Sequence, residues 1–137
     1  MSENETHEEG TGPARPRPAE RFAAPVHRLD LSALAAGLRA ESAPTRHGHR
    51  QMTIWHNPPV TVLLFAFEPG GVLADHQAHG AVTIHLIEGA VTVQAAAQTY
   101  ELTPATLVTL APDVPHSVTA TQASTLLVMV ALVPNAA

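Results

Sequence analysis

From Gln51 onward, short runs rich in Val, Thr, Leu and Ile alternate with clusters of Pro and Gly. The runs are QMTIWH, VTVLLFAF, AVTIHLI, AVTVQA, ATLVTL, HSVTAT and STLLVMVAL, punctuated by NPP, EPGG, IEGA, LTPA and APDVP. β-Branched and long aliphatic side chains suit a pleated surface, whereas Pro removes a ladder donor and Gly permits sharp reversals. Several such strands at close spacing predict an all-β sandwich or barrel. Parallel neighbours need crossovers of about a dozen residues or more, and no helical crossovers stand between the runs, so the pairing is expected to be antiparallel.

Upstream the period changes. In LDLSALAAGLRAESAP, Leu31, Leu34, Ala35 and Leu38 recur at helical spacing. Asp30 is a suitable N-cap and Pro44 a stop, so one short helix is expected, docked on the rim of the β body. Residues 1–20 have few large apolar side chains and many Glu, Pro and Gly, which predicts a disordered tail with His7 solvated in it. The expected organisation is therefore tail 1–20, helical segment 21–44 and β domain 45–137.

Composition narrows the function. At 137 residues the chain suits one domain, and 45% hydrophobic against 14% charged residues can supply a core. Without cysteine there are no disulfides, thiolate metal sites or thiol nucleophiles. All seven basic residues are arginines, the last being Arg50, while the rest of the chain carries only Glu68, Asp75, Glu88, Glu101 and Asp113 as charges. The absence of a basic footprint from Gln51 to Ala137 argues against nucleic acid and against phosphorylated substrates. No run approaches the ~20 apolar residues of a membrane span, and no early segment reads as a secretory signal. The expectation is a cytoplasmic protein with no membrane or nucleic-acid partner.

The segments Gly71–Gly89 and Pro104–Ala120 carry a resemblance. Together they resemble the two motifs of the cupin superfamily, G-x5-H-x-H-x3–4-E-x6-G and G-x5-P-x-G-x2-H-x3-N. The resemblance covers about residues 45–133 and implies a jelly-roll barrel of the small single-domain kind. Metal-binding cupins usually coordinate through two histidines and a glutamate of the first motif and one histidine of the second. Position by position, His76 and His116 match; Ala78 and Val82 stand at the other two ligand positions. In the second motif Pro104, Ala111, Asp113 and Ala120 replace Gly, Pro, Gly and Asn. The metal motif is degenerate.

Nearby histidines are candidates for completing the site, because a divalent ion such as Zn, Ni, Mn or Fe(II) needs three or more protein ligands to be held firmly. His79 diverges from His76 on a regular strand, yet a bulge at Gly80 would re-aim it. If Val82 occupies the inward glutamate position, then Val82, Ile84 and Leu86 face inward, and Thr83, His85 and Ile87 outward. His85 joins the site only if a bulge reverses that register. The same alternation puts Val91 or Val93, Leu107 or Val108, Val118, Leu127 and Met129 inside. His47 and His49 share one face of a solvated strand edge, His56 stands near a barrel mouth, and His27 reads as surface. STLLVMVAL is apolar on both faces, so its outer face is expected to be covered by the N-terminal segment or by a homodimer partner.

Three functions remain open on this reading. One is a metal-dependent barrel acting on or binding a small, weakly polar molecule, with dioxygenase- or isomerase-type chemistry and His76, His116, His79 and His85 as candidate ligands. Another is a metal-free small-molecule binding or sensing barrel. The last is a structural module.

Overall fold

The two most continuously apolar runs, Val60–Phe67 (β2) and Ser124–Leu132 (β9), lie side by side as antiparallel neighbours at the middle of a sheet. The computed structural model describes residues 21–133, with positions 75 and 76 described in backbone only. The expected tail, with His7, lies outside the described residues. The remaining strands are His49–Asn57 (β1), Val72–His76 (β3), Gly80–Glu88 (β4), Val91–Ala95 (β5), Gln98–Leu102 (β6), Leu107–Leu110 (β7) and His116–Ala120 (β8). One sheet has the order β1-β2-β9-β4-β7 and the other β3-β8-β5-β6. Every pairing is antiparallel.

The inner faces of the two sheets meet in one cluster that includes Phe65, Phe67, Val82, Ile84, Leu86, Val93, Val118 and Leu126. Alternation on β4 holds as expected, with Val82, Ile84 and Leu86 buried and Thr83, His85 and Ile87 on the other face. Val91 and Val93 both point inward, being two residues apart on β5. On β7, Val108 packs against the core and Leu107 faces out.

β9 corrects the sequence reading. Leu126 and Val128 are inside, while Leu127 packs in the outer cluster and Met129 is 39% exposed. A strand apolar on both faces carries no alternation from which its inward side can be read. Two strands were also absent from the expected set. β3 is interrupted by Asp75, and β6 reads QTYEL and is exposed along most of its length, so neither shows apolar alternation.

The helix, α1 (Leu31–Arg39), is capped by Asp30, whose carboxylate accepts from the Ala33 N–H at 3.0 Å. It ends five residues before Pro44, at Arg39. The Arg39 guanidinium donates to Ser124 O (2.8 Å) and Thr125 Oγ1 (3.0 Å), so a tertiary contact fixes the last turn. Ala35 of α1 packs with Ile54 and Leu64, and Leu127 joins this cluster from β9. Thus the N-terminal segment covers part of the outer face.

At one seam the two sheets are joined. The Val72 N–H donates to His47 O at 2.8 Å, and His49 Nδ1 donates to Val72 O at 3.0 Å. The His49 ring also lies against Phe65 and Phe67, with centroids 5.6 and 5.2 Å away. His49 is therefore a half-buried clip between sheets, not the solvated edge residue expected from its arginine neighbours. No helix among the described residues is long and apolar enough to cross a membrane.

Candidate functional site

His116 opens β8, and its Cα partners in the sheet are His76 at the end of β3 on one side and Ala95 at the end of β5 on the other. Residues directly opposed in an antiparallel ladder share a face. His116, Val118 and Ala120 form the buried row of β8, so positions 76 and 116 both belong to the inner wall. His116 is 3% exposed. Its Nδ1 donates to Val114 O at 3.0 Å, since a carbonyl oxygen can only accept, and this sets the ring's orientation.

The loop before β8 does a second job. Asp113 has φ +68°, a left-handed conformation that Asp tolerates better than most residues, at the motif position where a cupin has glycine. Its N–H donates to Ala78 O at 2.9 Å, and its carboxylate accepts from His79 Nδ1 at 2.7 Å. The His79 side chain is 85% exposed. Its carbonyl accepts from the Val133 N–H at 3.0 Å, tying the β3–β4 turn to the end of β9. Gly80 follows because a Cβ there would collide with Ala131 O of β9.

His56 reaches the same end of the barrel from β1. Its Nδ1 hydrogen-bonds Thr61 Oγ1 at 2.8 Å, and Thr61 neighbours Val130, which packs on the core. An open concavity of about 500 Å³ adjoins this end, lined by Gln94 to Thr99 of the β5–β6 hairpin and by Pro115.

The structure thus separates the four histidines that the sequence grouped. Positions 76 and 116 are ladder partners of β3 and β8, while His79 stands at the rim, turned to Asp113. His85 lies on the outer face of β4 between Leu107 and Leu127, because no bulge intervenes between Gly80 and Leu86 to reverse its register. Among the described residues, no group of three or more His, Asp or Glu side chains is placed to hold a metal ion. A firmly held divalent ion takes three or more protein ligands, of which positions 76 and 116 would supply two.

Two features escaped the sequence reading. The Asp113–His79 pair is one, and its signal was the acidic residue at a glycine position just ahead of His116. His27, read as surface, is the other: it is half-buried and its Nε2 is enclosed without a hydrogen-bond partner.

Solved structures resemble this chain throughout the barrel. A cupin superfamily protein from Desulfitobacterium hafniense aligns with TM-score 0.65 at 15% identity, covering 82% of this chain and 96% of that one. A Thermus thermophilus protein aligns with TM-score 0.65 at 20% identity over 80% and 100% of the two chains. A variant of salicylate 1,2-dioxygenase from Pseudoaminobacter salicylatoxidans, solved with gentisate, aligns with TM-score 0.63 at 18% identity over 77% of this chain and 32% of that one. At these identities the likeness is one of fold. Among curated proteins none matches. The model of the AraC-like ligand binding domain matches residues 59–131, from the turn before β2 to the end of β9. With the jelly-roll sheets and the inner-wall His116 in place, this chain belongs to that family of cupin-type domains.

Proposed function

We propose that the barrel binds a small, weakly polar organic molecule at the end where β3 and β8 bring positions 76 and 116 together, and that it acts by binding rather than catalysis. The observation that carries this is His116, a buried imidazole held by Val114 O at the head of a row that continues as Val118 and Ala120, with Val93 paired to Val118 from β5. Apolar walls strip water from a ligand, and a few oriented polar groups choose among ligands. The family's description as ligand-binding and the fold shared with a ligand-bearing dioxygenase support the reading.

The test is a methyl and imidazole NMR titration of the full chain with a panel of small aromatic and aliphatic compounds. Saturable shifts at Val93, Val118 and His116 are expected for some members. A panel that leaves all three unmoved up to about 10 mM, where binding is negligible, would sink the reading.

A second reading, a divalent metal on His76 and His116, is favoured by their cross-strand opposition alone. A metal there would act as a Lewis acid toward a ligand oxygen. Its test is elemental analysis of untagged protein and of His76→Ala and His116→Ala after exposure to Zn, Ni, Mn or Fe(II). Stoichiometric metal lost in both variants supports it, and unchanged uptake in either refutes it.

The proposal includes a homodimer through the outer face of β9, β4 and β7. There Leu107 is 55% exposed, Met129 is likewise exposed, and Thr83 and His85 contribute no fixed charge. Sedimentation showing a clean monomer at micromolar concentration would contradict it.

A further inference from the structure

Two consecutive residues of the β7–β8 loop hold two different imidazoles. Asp113 takes Nδ1 of His79 at the exposed rim (2.7 Å), and Val114 O takes Nδ1 of His116 in the buried wall (3.0 Å). The left-handed turn at Asp113 lets its N–H bond Ala78 O while its side chain reaches His79. A carboxylate only accepts, so it keeps the proton of His79 on Nδ1 and, in the neutral ring, makes Nε2 an acceptor. The ring is 85% exposed, so a ligand entering the mouth can reach it.

Charge at this end points the same way. Residues 51–137 contain no Lys or Arg. Arg39 is bound to the start of β9, and Arg46 and Arg50 lie beside the start of β1, both at the opposite end of the barrel. An anionic ligand finds Asp113 at the rim and, among residues 51–133, no fixed cation to oppose it.

We infer that His79, positioned by Asp113, is the rim residue that selects the ligand, accepting a hydrogen bond at Nε2 from a hydroxyl or amine of a non-anionic molecule. This rests on the ligand-binding reading above and names the class of ligand. His79 and Asp113 then act at the entrance, and His116 acts on the part of the molecule that is buried.

The test uses three probes on one carbon skeleton, benzyl alcohol, benzylamine and benzoate, titrated by NMR into the full chain at about pH 8, above the ordinary imidazole range. Benzyl alcohol and benzylamine are expected to move both the His79 ring signals and the Val93 and Val118 methyls saturably, with benzoate at least about fivefold weaker, the worth of one modest hydrogen bond. Asp113→Gly suits the left-handed backbone and removes only the carboxylate. It should weaken the alcohol by about fivefold and release His79 to a mixture of ring tautomers, read by long-range ¹⁵N correlation. Asp113→Asn, which tolerates the same backbone and keeps an acceptor, should restore most of the binding.

Benzoate binding as tightly as the alcohol overturns the inference, as does an Asp113→Gly variant with unchanged affinity and tautomer. Methyl shifts without any His79 shift overturn it and leave the ligand-binding reading standing. No methyl shift with any probe overturns the inference, and the wider panel then decides the ligand-binding reading separately.

Discussion

The β5–β6 hairpin turns through Ala96 and Ala97 with φ of 51° and 64°, between the paired residues Ala95 and Gln98. Two central residues with positive φ make a type I′ turn, whose backbone suits Asn-Gly far better than Ala-Ala. An L-residue held in the left-handed region loses about 1–2 kcal/mol through the clash of Cβ with the following carbonyl. Glycine removes that clash but costs about 0.5–1 kcal/mol in chain entropy, so Ala97→Gly should gain roughly 0.5–1 kcal/mol net. Ala96→Asn should add about 0.5 kcal/mol, because Asn tolerates the conformation without glycine's entropy. For a domain of this size the double change corresponds to about 5 °C in Tm. Differential scanning calorimetry at matched concentration measures it, with Ala97→Val as the opposite control, expected to lower Tm. A double variant that gains less than about 1 °C would refute the assignment of strain to this turn. The outcome bears on the site, because Ala95 is the ladder partner of His116 and the same turn lines the open concavity beside it.

Arg39→Ala should destabilise by about 2–3 kcal/mol in urea unfolding, because it strands the buried Ser124 carbonyl and Thr125 hydroxyl, and a shift below about 0.5 kcal/mol would show the clamp to be idle. His49→Ala should cost about 2 kcal/mol by removing both the bond to Val72 O and the packing on Phe65 and Phe67; His49→Phe should recover only the packing share, and equal stability of the two variants would disprove the clip. Gly80→Ala should force β4 and β9 apart at Ala131 and cost about 1–3 kcal/mol, with faster amide exchange at Val133, whose partner is His79 O; unchanged exchange there would contradict the close approach.

The barrel was legible in the chain because its strands obey a local rule. β4 alternates cleanly, the runs of β2 and β9 coincide with the observed strands, and Asp30 stands one residue ahead of an apolar helical stripe. These signals need only the period of the element and the chemistry of its ends. His116 was legible too, since its place in the buried row of β8 follows from a motif that ends VPHSV.

What escaped was decided between elements. β6 lies exposed at a sheet edge and needs no apolar alternation, so its strand character comes from pairing with β5. The inward face of β9 was set by its neighbours, because both of its faces are apolar and α1 covers only part of the outer one. His49 became a clip because β3 passes beside it, and His79 met Asp113 because two loops, 34 positions apart in the chain, close on the same rim. Local sequence determines which segments pleat and which side chains line a face. Which histidines meet depends on where loops land, and that is settled by packing two sheets around one core.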